Sequence, residues 1–324
     1  GGLEVESWAT LKAWLGIEDL LGDNVLNLRL GTLGAQTFGL FTGRDENNFT
    51  THYYLYTSWV MPVPKPKLSG LNDFQGNNFS ISPQIGLEAH GFGSRWRYGF
   101  GIVNGNLKTS ASEAPDSAIS FMGASKNRGK KDFFFDTAFK IGGLGFDGSG
   151  AAIEDPLAAR PEYWRDDSLI LSLWGYVGSS DIEIEDAAGI RWEGEDDFWR
   201  IGLGAQQKIK DLTIGGGYMF GTNDNPYGNL STKQVDSRAW YAEAMYFALP
   251  WLIPYGRYEG LDLDLPVDVP GLTPDQDNAR IVLGLKSMVR ANVSLSVEGN
   301  FYVKGEELQE GLDETLFVLF LLSF

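Results

Sequence analysis

The chain has 324 residues, a formal net charge of −17, 13% aromatic residues, 41 glycines, 2 histidines and no cysteine. Those counts exclude Cys-ligated zinc, iron–sulfur clusters and haem attached through C-x-x-C-H, and they leave no stock for a His-rich metal site. An acidic balance without a basic run argues against nucleic acid, and no stretch of eighteen apolar residues is present to form a transmembrane helix.

Taken in chain order, fourteen strands are predicted: 3–19, 24–35, 49–60, 79–92, 95–104, 131–144, 167–178, 196–209, 212–221, 236–248, 252–262, 279–290, 292–304 and 315–324. Gly1-Gly2-Leu3-Glu4-Val5 shows no signal peptide, so an exported chain would start here either as a processed form or as a piece of a longer one. Strict alternation carries the strand assignments. Phe133, Phe135, Phe139 and Ile141 oppose Asp136 and Lys140, and Trp199, Ile201, Leu203 and Ala205 oppose Arg200 and Gln206. Val293, Leu295, Val297, Phe301 and Val303 likewise oppose Ser294, Ser296, Glu298 and Asn300. Short links at Gly93-Ser94, Lys210-Asp211, Leu249-Pro250-Trp251 and Arg290-Ala291-Asn292 alternate with long polar links at 104–130, 180–195, 222–235, 262–278 and 305–313. Tight turns on one side and long loops on the other suit an all-β transmembrane antiparallel β-barrel of about 14 strands, within a range of 12–16. Two stretches break the parity: 36–48 and 145–166 are long where a short turn belongs. If 36–78 is one long loop, the count falls to twelve or thirteen. The whole chain, 1–324, reads as a single barrel domain with long acidic outer loops.

The closing run Glu314 to Phe324 is apolar and ends on phenylalanine, which resembles the terminal strand of bacterial outer-membrane β-barrels. The segment Gln84 to Gly105 resembles a hairpin of bacterial porins, and Lys131 to Gly148 and Pro250 to Glu259 resemble later porin segments. The chain is thus similar to porins of the phosphate-selective (O/P) type and related porins, from about residue 24 to its end. The resemblance implies the outer membrane of a Gram-negative bacterium, lipid and lipopolysaccharide as surroundings, and a homo-trimer.

Alternation places a set of charges on the lumen face: Lys12, Arg29, Glu88, Arg95, Arg97, Asp136, Lys140, Arg200, Glu243, Arg257, Glu259, Arg280, Lys286 and Glu298. With Lys304, Glu6 and Glu18 added, the expected wall is near +3 and the loops and ends near −20. Such charges set a transverse field that sorts hydrated solutes, or they pair across strands and keep the lumen wet. The segment Thr37 to Asn48 is placed to fold inward, which makes Arg44, Asp45 and Glu46 constriction candidates. Trp8, Trp14, Trp59, Trp96, Trp174, Trp240, Trp251 and Tyr246 fall near strand ends, as interfacial girdles do. Acidic clusters at 45–46, 181–186, 193–197 and 262–268 offer oxygen ligands for loop-bound Ca2+, but none has EF-hand spacing, and a solvated loop is the simpler reading. No cofactor is expected.

The function these features indicate is passive diffusion of small hydrophilic or ionic solutes. The alternative is a sleeve enclosing a partner such as a multihaem cytochrome, to which Gly202, Gly204, Gly215 and Gly217 would offer a smooth inner wall. No enzyme is expected: His52 or His90 could in principle serve a serine or aspartate, but His90 falls on the inward face beside Glu88, where a lone histidine is usually structural.

Overall fold

The computed structural model describes residues 14–33, 73–75, 84–104, 130–149, 166–185, 190–269, 276–290, 293–304 and 315–322. They form β1 (Trp14–Ile17), β2 (Asn27–Leu33), β3 (Asp73–Gln75), β4 (Gln84–Phe92), β5 (Trp96–Val103), β6 (Asp132–Gly142) and β7 (Ser168–Glu185). These are followed by β8 (Arg191–Ile209), β9 (Leu212–Asn223), β10 (Val235–Tyr246), β11 (Leu252–Asp264), β12 (Gln276–Arg290), β13 (Val293–Lys304) and β14 (Thr315–Leu322). All belong to one antiparallel sheet in which each strand pairs with its sequence neighbour, apart from β3, which lies off the path. Fourteen strands less β3 give a wall of thirteen.

β2 pairs directly with β4. Seven rungs from Asn27↔His90 to Leu33↔Gln84 occupy that edge of β2, and β1 occupies the other. The predicted strand 49–60 and the stretch 36–48 lie outside the described residues. The link 143–167 stays where a short turn was expected.

A correction concerns 180–195, predicted as a polar loop. The last rung between β6 and β7 is Phe133↔Val177, and the last between β8 and β9 is Phe198↔Asn223. Beyond them β7 and β8 continue as a hairpin through Glu185↔Arg191. β3 joins its side through Asp73↔Glu185, Phe74↔Ile184 and Gln75↔Glu183. Asp181 and Glu195 of this hairpin both hold Lys130, at 3.1 and 2.6 Å.

Two faces with opposite solvents explain the side chains. Along β6 the pattern is strictly alternate: Asp132, Phe134, Asp136, Ala138 and Lys140 are buried, while Phe133, Phe135, Phe139 and Ile141 are 42–54% exposed. Leu203 and Leu283 are each 55% exposed. So continuous an apolar outer surface is unsuited to water and suited to lipid. On β8 this surface runs from Trp199 to Ile209. At about 3.3 Å per residue and a tilt near 40°, that stretch spans roughly 25 Å, the height of an outer-membrane barrel's apolar band. Trp96, Trp199, Tyr246 and Trp251 are exposed on this face, as girdle residues should be, whereas Trp174 is 2% exposed and points into the barrel. The apolar outer face, facing every direction around a sheet of this order, makes the fold a transmembrane barrel.

Candidate functional site

The inner face divides by height. At the long-link end it is apolar: Leu33, Val103, Phe134, Trp174, Tyr176, Phe198, Met219, Tyr241, Leu261 and Leu263 share one buried cluster. Tyr227 of the link 224–234, and Leu265 and Val269 of the link after β11, pack onto it. Ser231 donates to Asp268 Oδ1 at 3.0 Å and so ties those two links together. Burial works to raise the Asp268 carboxyl, but the bonds from Ser231 and Lys233 outweigh it and hold Asp268 below its ordinary value. Sequence reasoning missed this apolar cap. Its signal was present, since Phe134, Trp174, Tyr176 and Phe198 share parity with Asp136 and Arg200.

Glycines on the inner face make room for the rings. A Cβ at Gly202 would lie 2.3 Å from Trp174, and one at Gly217 would lie 2.5 Å from Tyr241. The inner wall is thus covered by aromatic side chains at these positions instead of being smooth.

In mid-barrel the face is charged and packed. Glu259 accepts from Arg257 Nε at 3.1 Å and from Arg280 Nε, and the three residues are 0%, 2% and 1% exposed. Arg257 and Glu259 lie two apart on β11, so alternation alone puts them on one face, while the register Glu259↔Arg280 brings in β12. Tyr255 crosses Gly284 to donate to Glu298 Oε2 at 2.8 Å. Glu243 and Lys286 are buried on the same face. Arg200 sits higher, donating to the carbonyls of Trp199 and Thr222 at 2.7 and 2.8 Å and to the Asn223 amide oxygen.

Toward the short-turn end, Arg29 donates to Glu88 Oε2 at 3.0 Å. With His90, Phe92, Arg97, Gly99 and Asp136 they line a cavity of about 310 Å3. Its floor is Phe146, from the link 143–167. Gly142 and Gly143, with φ of 75° and 56°, turn the chain at the end of β6 through backbone angles that side-chain-bearing residues avoid. Arg95 then donates to the carbonyls of both glycines, and Phe146 N donates to Ser94 O at 2.9 Å. The Phe146 ring lies 5.5 Å from the Arg97 guanidinium and 5.9 Å from Lys140 Nζ. Lys140 pairs with Asp166 at 2.7 Å, and Asp166 also accepts from Leu144 N and Ser168. Burial pushes the Asp166 carboxyl up, but these donors prevail and hold it below the ordinary carboxylate value.

Several expected positions change. Arg95 lies in the turn before β5, where it binds the link instead of facing the lumen. Lys304, past the register shift at Ala279/Arg280, is 62% exposed by side chain and pairs with Asp277. Glu18 is exposed in the link before β2. Lys12, Arg44, Asp45 and Glu46 lie outside the described residues. Asp132 and Asp196 were overlooked: Asp132 accepts from Tyr176 at 2.7 Å, and Asp196 accepts from Asn223 at 2.6 Å. The described inner face then carries eight cations (Arg29, Arg97, Lys140, Arg200, Lys208, Arg257, Arg280, Lys286). Against them stand seven carboxylates (Glu88, Asp132, Asp136, Asp196, Glu243, Glu259, Glu298). Among the described residues the two signs are close to balance.

No family model matches this sequence, and no curated protein matches it. Among solved structures, the outer-membrane protein OmpT of Vibrio cholerae aligns with a TM-score of 0.55 at 10% identity, over 90% of this chain and 69% of that one. A porin refined at 1.8 Å aligns with a TM-score of 0.50 at 12% identity, over 94% of this chain and 79% of that one. At such identities the likeness is one of fold. The fold is that of bacterial outer-membrane β-barrels, and the apolar outer face places the chain in that membrane.

Proposed function

We propose that this barrel is a porin, a passive and narrow diffusion path for small hydrophilic or ionic solutes. One observation carries the reading: inner charges of both signs run from Arg200 through Arg257, Glu259 and Arg280 to Arg29 and Glu88. A barrel needing only stability gains little from buried charge, because desolvation offsets most of the attraction, and an apolar filling serves as well. A polar wall in a lipid-embedded barrel is what water and solute require. The balance of cations and carboxylates favours neutral or dipolar solutes, so the likeness to phosphate-selective porins is read as one of barrel and not of solute. A trimer is the assembly that the porin resemblance implies. The sleeve reading is disfavoured, since Gly202 and Gly217, two of the glycines that would have offered a smooth inner wall, are covered by the rings of Trp174 and Tyr241.

Planar-bilayer recording of the detergent-purified protein tests the reading. Small discrete steps with an anion-to-cation permeability ratio near unity are expected. Insertion without steps would overturn it, and a strong anion preference would overturn the charge balance. Crosslinking in native membranes would resolve the trimer from a monomer.

A further inference from the structure

The cavity at the short-turn end is lined by two guanidiniums, two carboxylates and an imidazole, and these groups are unequally committed. Arg29 and Glu88 satisfy one another at 3.0 Å. Asp136 is 7% exposed, and among the described residues no hydrogen bond reaches it. Its Oδ2 lies across Gly99, close enough that a Cβ there would stand 2.5 Å away. His90 Nδ1 is buried without a hydrogen-bond partner, 3.9 Å from Glu88 Oε2. From the adjacent strand Arg97 brings a planar guanidinium, held 5.5 Å from the Phe146 ring. A buried imidazole nitrogen without a hydrogen bond, a buried carboxylate whose charged neighbour is Arg97, and two phenyl rings, Phe92 and Phe146, thus line one space of about 310 Å3.

A buried carboxylate without a donor is costly, by about 1–3 kcal/mol or more for a charged group, and a ligand that supplies the donor recovers that loss. A plain cation would meet Arg29 and Arg97, and a plain anion would meet Glu88 and Asp136. A solute bearing both charges as substituents of one carbon meets neither objection. We propose that this cavity is a binding subsite for a free α-amino acid, its ammonium on Asp136 and His90, its carboxylate on Arg97 and its side chain against Phe92 and Phe146. The inference deepens the porin reading by naming a solute class, and it rests on that reading for the solute's access through the barrel.

Three probes separate the contributions: L-leucine, 4-methylpentanoate, which lacks the ammonium, and 3-methylbutylamine, which lacks the carboxylate. Saturation-transfer NMR and calorimetry on the detergent-solubilised full chain should show leucine binding at least about tenfold more tightly than either half, since each charge-assisted contact contributes roughly a factor of ten. Asp136→Asn should weaken leucine by about tenfold and leave 4-methylpentanoate unchanged, while Arg97→Gln should do the converse with 3-methylbutylamine. Gly99→Ala keeps every charge and crowds Asp136, so it serves should the charge variants fail to fold, and it should abolish leucine binding. Leucine binding no better than its halves, or unchanged by Asp136→Asn and Gly99→Ala, overturns the subsite. A conducting barrel that ignores leucine loses the subsite and keeps the porin reading, whereas a silent barrel that binds leucine keeps the subsite and loses the porin.

Discussion

Replacing Glu259 with alanine removes the acceptor that two arginines share in mid-barrel. Arg257 and Arg280 are 2% and 1% exposed, and both donate to this carboxylate through Nε. In open water such a pair is worth about 0–1 kcal/mol. Leaving a buried cation without its partner costs about 3–5 kcal/mol, which shifts the unfolding equilibrium by roughly two to nearly four orders of magnitude. The assay is urea unfolding of the protein in phospholipid vesicles, followed by tryptophan emission. Glu259→Ala should lower the midpoint by that free energy at unchanged slope. Glu259→Ala/Arg280→Met should recover part of the loss, because one of the two cations that lost this acceptor goes with the substitution. A loss below about 1 kcal/mol would show that the arginines are solvated, and the description of a packed mid-barrel would then fail.

Three further outcomes are expected. Gly202→Ala places a Cβ 2.3 Å from the Trp174 ring, so it should cost about 1–3 kcal/mol and shift the emission of that buried tryptophan, while Gly256→Ala, whose nearest neighbour would stand 3.4 Å away, should be tolerated. Leu203→Arg, in the middle of the lipid-facing band, should cost about 2–4 kcal/mol in the same urea assay, and Ile190→Arg at the end of the protruding hairpin should cost almost nothing. The Asp166 latch should respond to acid. Because its folded-state value lies below the unfolded one, its contribution is complete above the ordinary aspartate value of about 3.9. That contribution fades as pH falls through the lowered value, so the protection factor at Leu144, its exchange relative to the free-peptide rate at the same pH, should fall on acidification in the wild type and lose that pH dependence in Asp166→Asn.

The strand positions were legible because lipid and interior impose opposite demands on neighbouring residues. β6, expected over 131–144, is found at Asp132–Gly142, and β13, expected over 292–304, at Val293–Lys304. The same logic was available at 180–185, where Asp181 and Glu183 alternate with Ile182 and Ile184, but the density of charge made a strand look like a loop. Charge also drew attention away from Phe134 and Trp174, whose parity already placed them inside. Inner pairings were legible only within a strand. Arg257 and Glu259 follow from a spacing of two, whereas Arg280 depends on how β12 slides against β11, and register is not a local property. The Phe146 floor was beyond reach, since it depends on hydrogen bonds between two links nearly fifty residues apart in sequence.

The exit of the chain after Leu33 and its return at Gln84, onto neighbouring strands, has an evolutionary consequence. Closing a connection grows costlier only slowly with length, by about 0.6 kcal/mol for each doubling, and the seven rungs between β2 and β4 do not depend on what lies between them. Changes in the length of chain joining Leu33 to Gln84 therefore cost the β2–β4 pairing itself little, and such variation can accumulate between these two strands while the wall on either side keeps its register.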